Sequence, residues 1–356
     1  MTAAFRLIYS AVAAAFTPTL HLSAEDIGRN DFTDQLMQPA DGLRYALLGV
    51  WERFDTLWYT HIALNGYDRP EATVFFPLYP LLIRLASAVT GNPLAAAVSL
   101  TTLATFLLFW GFLRLSDLDR PAEEGRRAIL AYAVWPASFV FFAAYPESLA
   151  AALTVWSVYW ARRGRWPAAG GLALLASLTK ATGFAVLLPL AVLARRAGRR
   201  AWIVVGALVA GPAVGWLTLR VSGLPTPEET YRHHWVTQFT WPWETLYRAL
   251  SELAQGGPLI LFYNLALLSL TCMLAISRKP RMEYVYFSAG VAAMVLVKNT
   301  DPVLQSTARY MLAVFPAFLT LGTAMKNFWV FAVAGACAFA VNIALLAAYL
   351  DWQLVV

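Results

Sequence analysis

Charge is what this sequence has least of. Only 13% of its 356 residues are charged, against 59% hydrophobic, and the mean hydropathy is +0.56. A globular chain carries about 25% charged residues. So little polar side chain cannot cover a water-soluble body of this size. The shortage excludes a soluble enzyme, a disordered chain and a nucleic-acid-binding domain. Cysteine is nearly missing too. Cys272 and Cys337 lie in apolar runs, so there is no disulfide framework and no zinc spacing. Four histidines occur without HExxH spacing, and neither an internal repeat nor a low-complexity tract is visible. What is abundant is aromatic: fourteen Trp and fifteen Tyr, enough for belts at two membrane interfaces.

The expected fold class is an all-α polytopic membrane protein forming a single domain, 1–356. Apolar runs at 5–22, 93–115, 128–144, 148–161, 167–179, 181–194, 201–220, 257–277, 282–297, 309–325 and 327–350 give about eleven transmembrane helices. The first run is read as an uncleaved span rather than a signal peptide. Its n-region holds only Arg6, and no small-x-small cleavage site follows. Segments 167–179 and 181–194 are each too short to cross and are expected to meet within the membrane. The stretch 75–91, broken by Pro77 and Pro80, reads as an interfacial helix.

The loops set the orientation. The basic connectors Arg162–Arg165, Arg195–Arg200, Arg278–Arg281 and Lys326 are expected on the cytoplasmic side, together with 116–127 and the N-terminus. That side then holds sixteen Lys/Arg and five Asp/Glu, against eleven and sixteen elsewhere. Two long loops, 23–92 and 221–256, fall outside. Loops of that length are functional or disordered, and the aromatic content of the first argues against disorder.

Four constellations could carry chemistry. In the first loop, Trp51, Asp55, Trp58 and Tyr59 would share one helix face, with Arg53 alongside. A carboxylate among aromatics at an interface suits a general base, though an N-cap or an ion pair with Arg53 also accounts for it. Glu147 stands where one span gives way to the next, as an acid at a helix N-terminus or as a cavity wall facing Asp55. Lys180 sits in the break between the two short helices. It could snorkel, or bind an anion together with the N-terminal N–H groups of 181–194. Arg309, beside Tyr310, opens a span as an anchor or as a second cation on the same phosphate. His233 and His234, in the second loop, are candidates for sugar contact or acid–base work.

The text WERFDTLWYTHIALNGY, FFPLYP, WPASFVFFAAYPESLAAALTVWSVYWARRGRW, LASLTKATGFAVLLP and STARYMLAVFP, in this order over residues 51–316, resembles the PIG-V family of membrane mannosyltransferases and its bacterial relatives. Phe54 stands where the family often has Trp, and Lys180 where it often has Arg; both keep the chemical type. The resemblance implies a GT-C fold with its catalytic aspartate in the first outside loop. It also implies a polyprenyl-phosphate-linked donor, usually of mannose, and inversion at the anomeric carbon. Asp55 would deprotonate an acceptor hydroxyl, and Lys180, Arg309 and Tyr310 would hold the donor phosphate. Trp51, Arg53, Trp58, Tyr59, Glu147, His233 and His234 would line the substrate site. No cofactor and no metal is expected, since two cations can stand in for a divalent ion. The implied partners are the lipid donor, a lipid-linked or glycan acceptor, and membrane lipids, in a bacterial cytoplasmic membrane with the site facing out. Two rival readings are a transporter or flippase for a lipid-linked sugar and a non-catalytic partner subunit. The first fits poorly with a long aromatic outside loop.

Overall fold

A computed structural model describes residues 1–19, 36, 42–235, 237–276 and 281–353. The rest of the first outside loop up to residue 41, and Arg278 and Lys279 of one basic connector, lie outside the described residues. In chain order the α-helices are α1 (Thr2–Phe16), α2 (Gly42–Leu47), α3 (Asp55–Asn65), α4 (Leu78–Thr90), α5 (Pro93–Ser116) and α6 (Ala122–Val134). Then come α7 (Glu147–Arg162), α8 (Trp166–Ser177), α9 (Leu187–Ala197), α10 (Arg199–Val221), α11 (Pro227–His233) and α12 (Pro242–Ala254). The last five are α13 (Leu259–Ile276), α14 (Met282–Leu296), α15 (Thr307–Met311), α16 (Phe315–Ala324) and α17 (Phe328–Leu350). Strand β1 (Gln238–Phe239) pairs antiparallel with β2 (Lys298–Asn299).

The all-α polytopic class follows from these elements. Among the described residues, α5, α13 and α17 are long and apolar enough to cross a membrane, and five further apolar helices have 10–17 residues. At 1.5 Å per residue the 24-residue α5 reaches about 36 Å, more than the ~30 Å of a hydrocarbon core. Its start is fixed by Asn92, whose side chain accepts from Ala95 N at 2.9 Å, and by Pro93 in the first turn. Asn327 caps α17 in the same way, accepting from Trp329 N and Val330 N. The stretch 75–91 yields α4, 13 residues long and too short to cross. It turns Leu81, Leu85 and Val89 outward at i, i+4, i+8 and buries Tyr79 and Ile83.

Three expected spans are broken. The 128–144 run stops at Val134, because Trp135 precedes Pro136 and takes ψ 144. A 3₁₀ turn over Ser138–Phe141 then leads to α7. The 309–325 run splits into α15 and α16 ahead of Pro316. The 181–194 run begins as a 3₁₀ helix, Ala181–Val186, before α9. Tyr132 ties two of these breaks together: its hydroxyl donates to Leu312 O and its ring stacks on Phe318 at 4.1 Å.

Helices α5 and α7 run parallel, with Ser148 Oγ donating to Thr101 O (3.3 Å) and Trp156 Nε1 to Leu107 O (2.9 Å). Their C-terminal end collects basic connectors. Asp119 receives a bidentate fork from Arg162 at 2.6 Å and a third bond from Arg281, which also holds Glu283. Partial burial pushes the Asp119 carboxyl up, but the two guanidiniums outweigh it and hold the group below the usual carboxylate range. Arg6 does not join them. It was expected with the basic side, yet it donates to Thr102 Oγ1 and Val98 O, level with Ser148 at the opposite end.

Candidate functional site

The opposite end, where α7 begins, holds the chemistry. Asp55 is the first residue of α3. Phe54 before it has φ 49 and ψ −121, a conformation costing ~1–3 kcal/mol for a bulky side chain. Its ring is held against Tyr349 and Trp352, at 5.7 and 5.6 Å. The strained turn aims Asp55 away from Arg53. Neither alternative for Asp55 survives: it caps nothing, and its ion partner is Arg309, whose Nη1 lies 2.6 Å from Asp55 Oδ2. Trp51 is not on the shared helix face expected for it, because α3 starts after it.

Arg309 is delivered by the short α15, again behind a strained residue, Ser306 at φ 61. Its Nε is 3.2 Å from Glu147 Oε1, close enough for charge attraction but not aligned for a hydrogen bond. Lys180 Nζ donates to that same Oε1. Glu147 Oε2 is buried with no hydrogen-bond partner among the described residues. Tyr310 gathers the cations. Its ring centroid is 4.5 Å from Lys180 Nζ, 5.3 Å from Lys298 Nζ and 5.5 Å from the Arg309 guanidinium carbon. Lys298 in turn donates to Tyr231 Oη at 3.0 Å. Among the described residues, two carboxylates thus meet three cations, an excess of one positive charge. Glu147, Lys180 and Arg309 are buried, while the Asp55 side chain is 25% exposed. A narrow pocket is lined by the polar side chains of Glu147, Lys180, Thr182, Arg309 and Tyr310, with Ala150 and Phe287 among its apolar lining.

The break at Lys180 depends on one glycine. Gly183 packs so tightly that a Cβ there would lie 2.0 Å from Ala176 O. That oxygen is main chain of α8 and cannot rotate away. The close approach folds the chain back and sends Lys180, in extended conformation, toward Glu147. Gly183→Ala should therefore displace Lys180 and cost activity at least tenfold with the protein still inserted. Wild-type turnover in that variant would show that the fold-back is dispensable. The short α-helix expected from 181 begins at Leu187, behind the 3₁₀ turn Ala181–Val186.

Other candidates are placed differently. Trp58 stacks on Phe75 at 5.4 Å, and Tyr59 meets Phe75 and Tyr79 edge-on at 5.1 and 5.0 Å. Trp235 from the second loop closes this aromatic wall against Trp58, at 5.8 Å, and Phe75. Trp51 is fully buried under Arg6, at 5.7 Å. Arg53 is buried, donates to Leu350 O, Glu52 O and Tyr45 Oη, and lies on Trp352 at 4.7 Å. Arg53 thus holds the first loop to the C-terminal helix, while Trp51 packs against α1, and both are buried. His233 is exposed, and His234 Nδ1 pairs with Glu71 Oε1 at 3.1 Å; neither reaches the ion cluster. His61, unremarked in the sequence, bonds Asp68 at 2.8 Å and draws that carboxyl below its ordinary range.

Lys298 and Tyr231, to which the sequence assigns no role of their own, belong to the cluster. The tetrapeptide Lys298–Asp301 is visible as a polar end to a span. Only the pairing of Phe239 with Lys298 brings it to Tyr231. The run Asp117-Leu118-Asp119 is a D-x-D match. It lies at the far end of α7, about 22 Å from Glu147 by helix rise, with Asp119 engaged by arginines.

No family model matches the chain. GPI mannosyltransferase 2 of Drosophila melanogaster is 29% identical over 127 residues, 33% of this chain and 28% of that protein. Two solved structures of the Archaeoglobus fulgidus oligosaccharyltransferase are each 12% identical to it. One is tethered to an acceptor peptide containing the NVT sequon; it covers 98% of this chain and 55% of its own, at a TM-score of 0.47. The other, a complex with zinc and sulfate, covers 97% and 53% at 0.45. The chain thus spans about half the length of the archaeal structures and a smaller part of the insect protein.

Proposed function

We propose that the chain is an inverting GT-C glycosyltransferase. It moves a mannosyl or related hexosyl group from a polyprenyl-phosphate donor to a hydroxyl of a lipid-linked or glycan acceptor on the extracytoplasmic side. One observation carries this reading: a half-open carboxylate, Asp55, lies beside a buried cluster that, among the described residues, has one uncompensated positive charge, inside a chain with membrane-spanning helices. The likeness to a protein named as a GPI mannosyltransferase supports the transferase class and the choice of mannose.

Asp55 accepts the proton of the acceptor hydroxyl as its oxygen attacks the anomeric carbon. The bond from that carbon to the phosphate oxygen breaks on the opposite face, and the electron pair stays with the phosphate. Lys180, Lys298 and Arg309 stabilise the added negative charge in surroundings of low dielectric. Trp58, Tyr59 and Trp235 form the aromatic wall that limits water, the competing acceptor.

The test incubates purified protein with polyprenyl-phosphate mannose or glucose and a panel of acceptor lipids. A glycosidic product is expected. Movement of donor between leaflets without product would replace the enzyme with a carrier. Sidedness is checked separately, in a Cys272→Ala/Cys337→Ala background. Ser222→Cys should react with an impermeant thiol reagent from outside and Ala197→Cys should not. The reverse labelling would put Asp55 on the cytoplasmic side.

A further inference from the structure

We infer that Arg309 changes partner during transfer, leaving Asp55 for the departing phosphate as Asp55 is protonated. The inference rests on the transferase reading above and adds to it a link between base and leaving group.

Arg309 makes one aligned charged hydrogen bond among the described residues, to Asp55. Its other carboxylate neighbour, Glu147, already takes Lys180 on the same oxygen. Glu147 therefore keeps Arg309 beside the pocket by charge without fixing its direction. Among the described residues no second cation is bonded to Asp55.

Transfer changes two charges at once. Asp55 goes from anion to neutral acid when it takes the acceptor proton. The phosphate goes from one negative charge to two when the anomeric bond breaks. The protein cluster rises from one excess positive charge to two in the same step, so protein and phosphate together stay neutral. In a buried setting an unmatched charge is expensive, and a cation that loses its anion beside a growing anion will move to it. Before transfer Arg309 supports the ionised base; after proton transfer it becomes a third cation for the leaving group, next to Lys180 and Lys298. The protein moves one guanidinium and needs no outside ion to balance the step.

The test is binding of farnesyl phosphate, a short mimic of the leaving lipid, to purified full-length protein, with farnesol as the uncharged control. Asp55→Asn imitates the protonated base and releases Arg309. It should bind farnesyl phosphate about tenfold more tightly than wild type, with farnesol unchanged. In an Arg309→Met background the same Asp55→Asn change should give no gain. Asp55→Ser repeats the test with a side chain too short to hold the guanidinium. A gain that survives Arg309→Met would mean simple removal of a repelling charge and overturn the handover, as would no gain in either Asp55 variant. If Asp55→Asn stays active as a transferase, the base assignment itself falls. Lost turnover with unchanged affinity sinks the handover alone.

Discussion

Asp55→Asn is expected to leave the protein folded and lower turnover by ~10²–10⁴-fold, the range for losing a general base. The argument is geometric. Asp55 is the carboxylate of the cluster that remains partly open, and it follows the strained turn at Phe54 and pairs with Arg309, a residue that lines the pocket. Asn keeps the shape but carries no charge and cannot take a proton. Donor hydrolysis should fall together with transfer, because both need a deprotonated nucleophile. Turnover is to be measured at saturating donor, so that any change in donor affinity is kept separate. Retention of more than a tenth of wild-type turnover would move the base elsewhere, and no other carboxylate in the cluster is as accessible.

Glu147→Ala should cause the largest loss of stability. The residue is 6% exposed and faces two cations that are themselves buried. Removing it leaves Lys180 without its carboxylate partner in a low-dielectric setting. Losing one partner of a buried pair costs about 3–5 kcal/mol. A lower thermal midpoint in detergent is the expected readout. The cause can be isolated, because adding Lys180→Met removes the stranded charge. Glu147→Ala/Lys180→Met should therefore be more stable than Glu147→Ala alone, although less active than wild type. If the second change gives no recovery, the loss comes from packing at the start of α7 rather than from an unpaired ammonium.

These experiments bear on different layers of what the residues encode. Low charge content and recurrent apolar runs determined that the chain is helical and polytopic, since hydrocarbon leaves the backbone few other ways to satisfy its own hydrogen bonds. Asn92 with Pro93 marks the start of α5 in the sequence as clearly as in the structure. Asp55, Glu147, Lys180 and Arg309 stood out because an ionised side chain near a membrane segment is costly without a partner. The partners were not legible. Composition allowed Asp55 to pair with Arg53, its neighbour two residues back. The structure turns Arg53 into the C-terminal helix and brings Arg309 from 254 positions away. Hydropathy averaged over a window registered the break at Lys180 but not those at Trp135 and Leu312, because single prolines and the positive-φ Ala137 make them. Those breaks build the site. Lys298 and Tyr231 show the same limit, joined by a two-residue strand pair too short to leave a periodic trace. The sequence alone determined which charges had to be neutralised. Which charge neutralises which was decided by tertiary packing, because that depends on distances of a few ångströms between segments far apart along the chain.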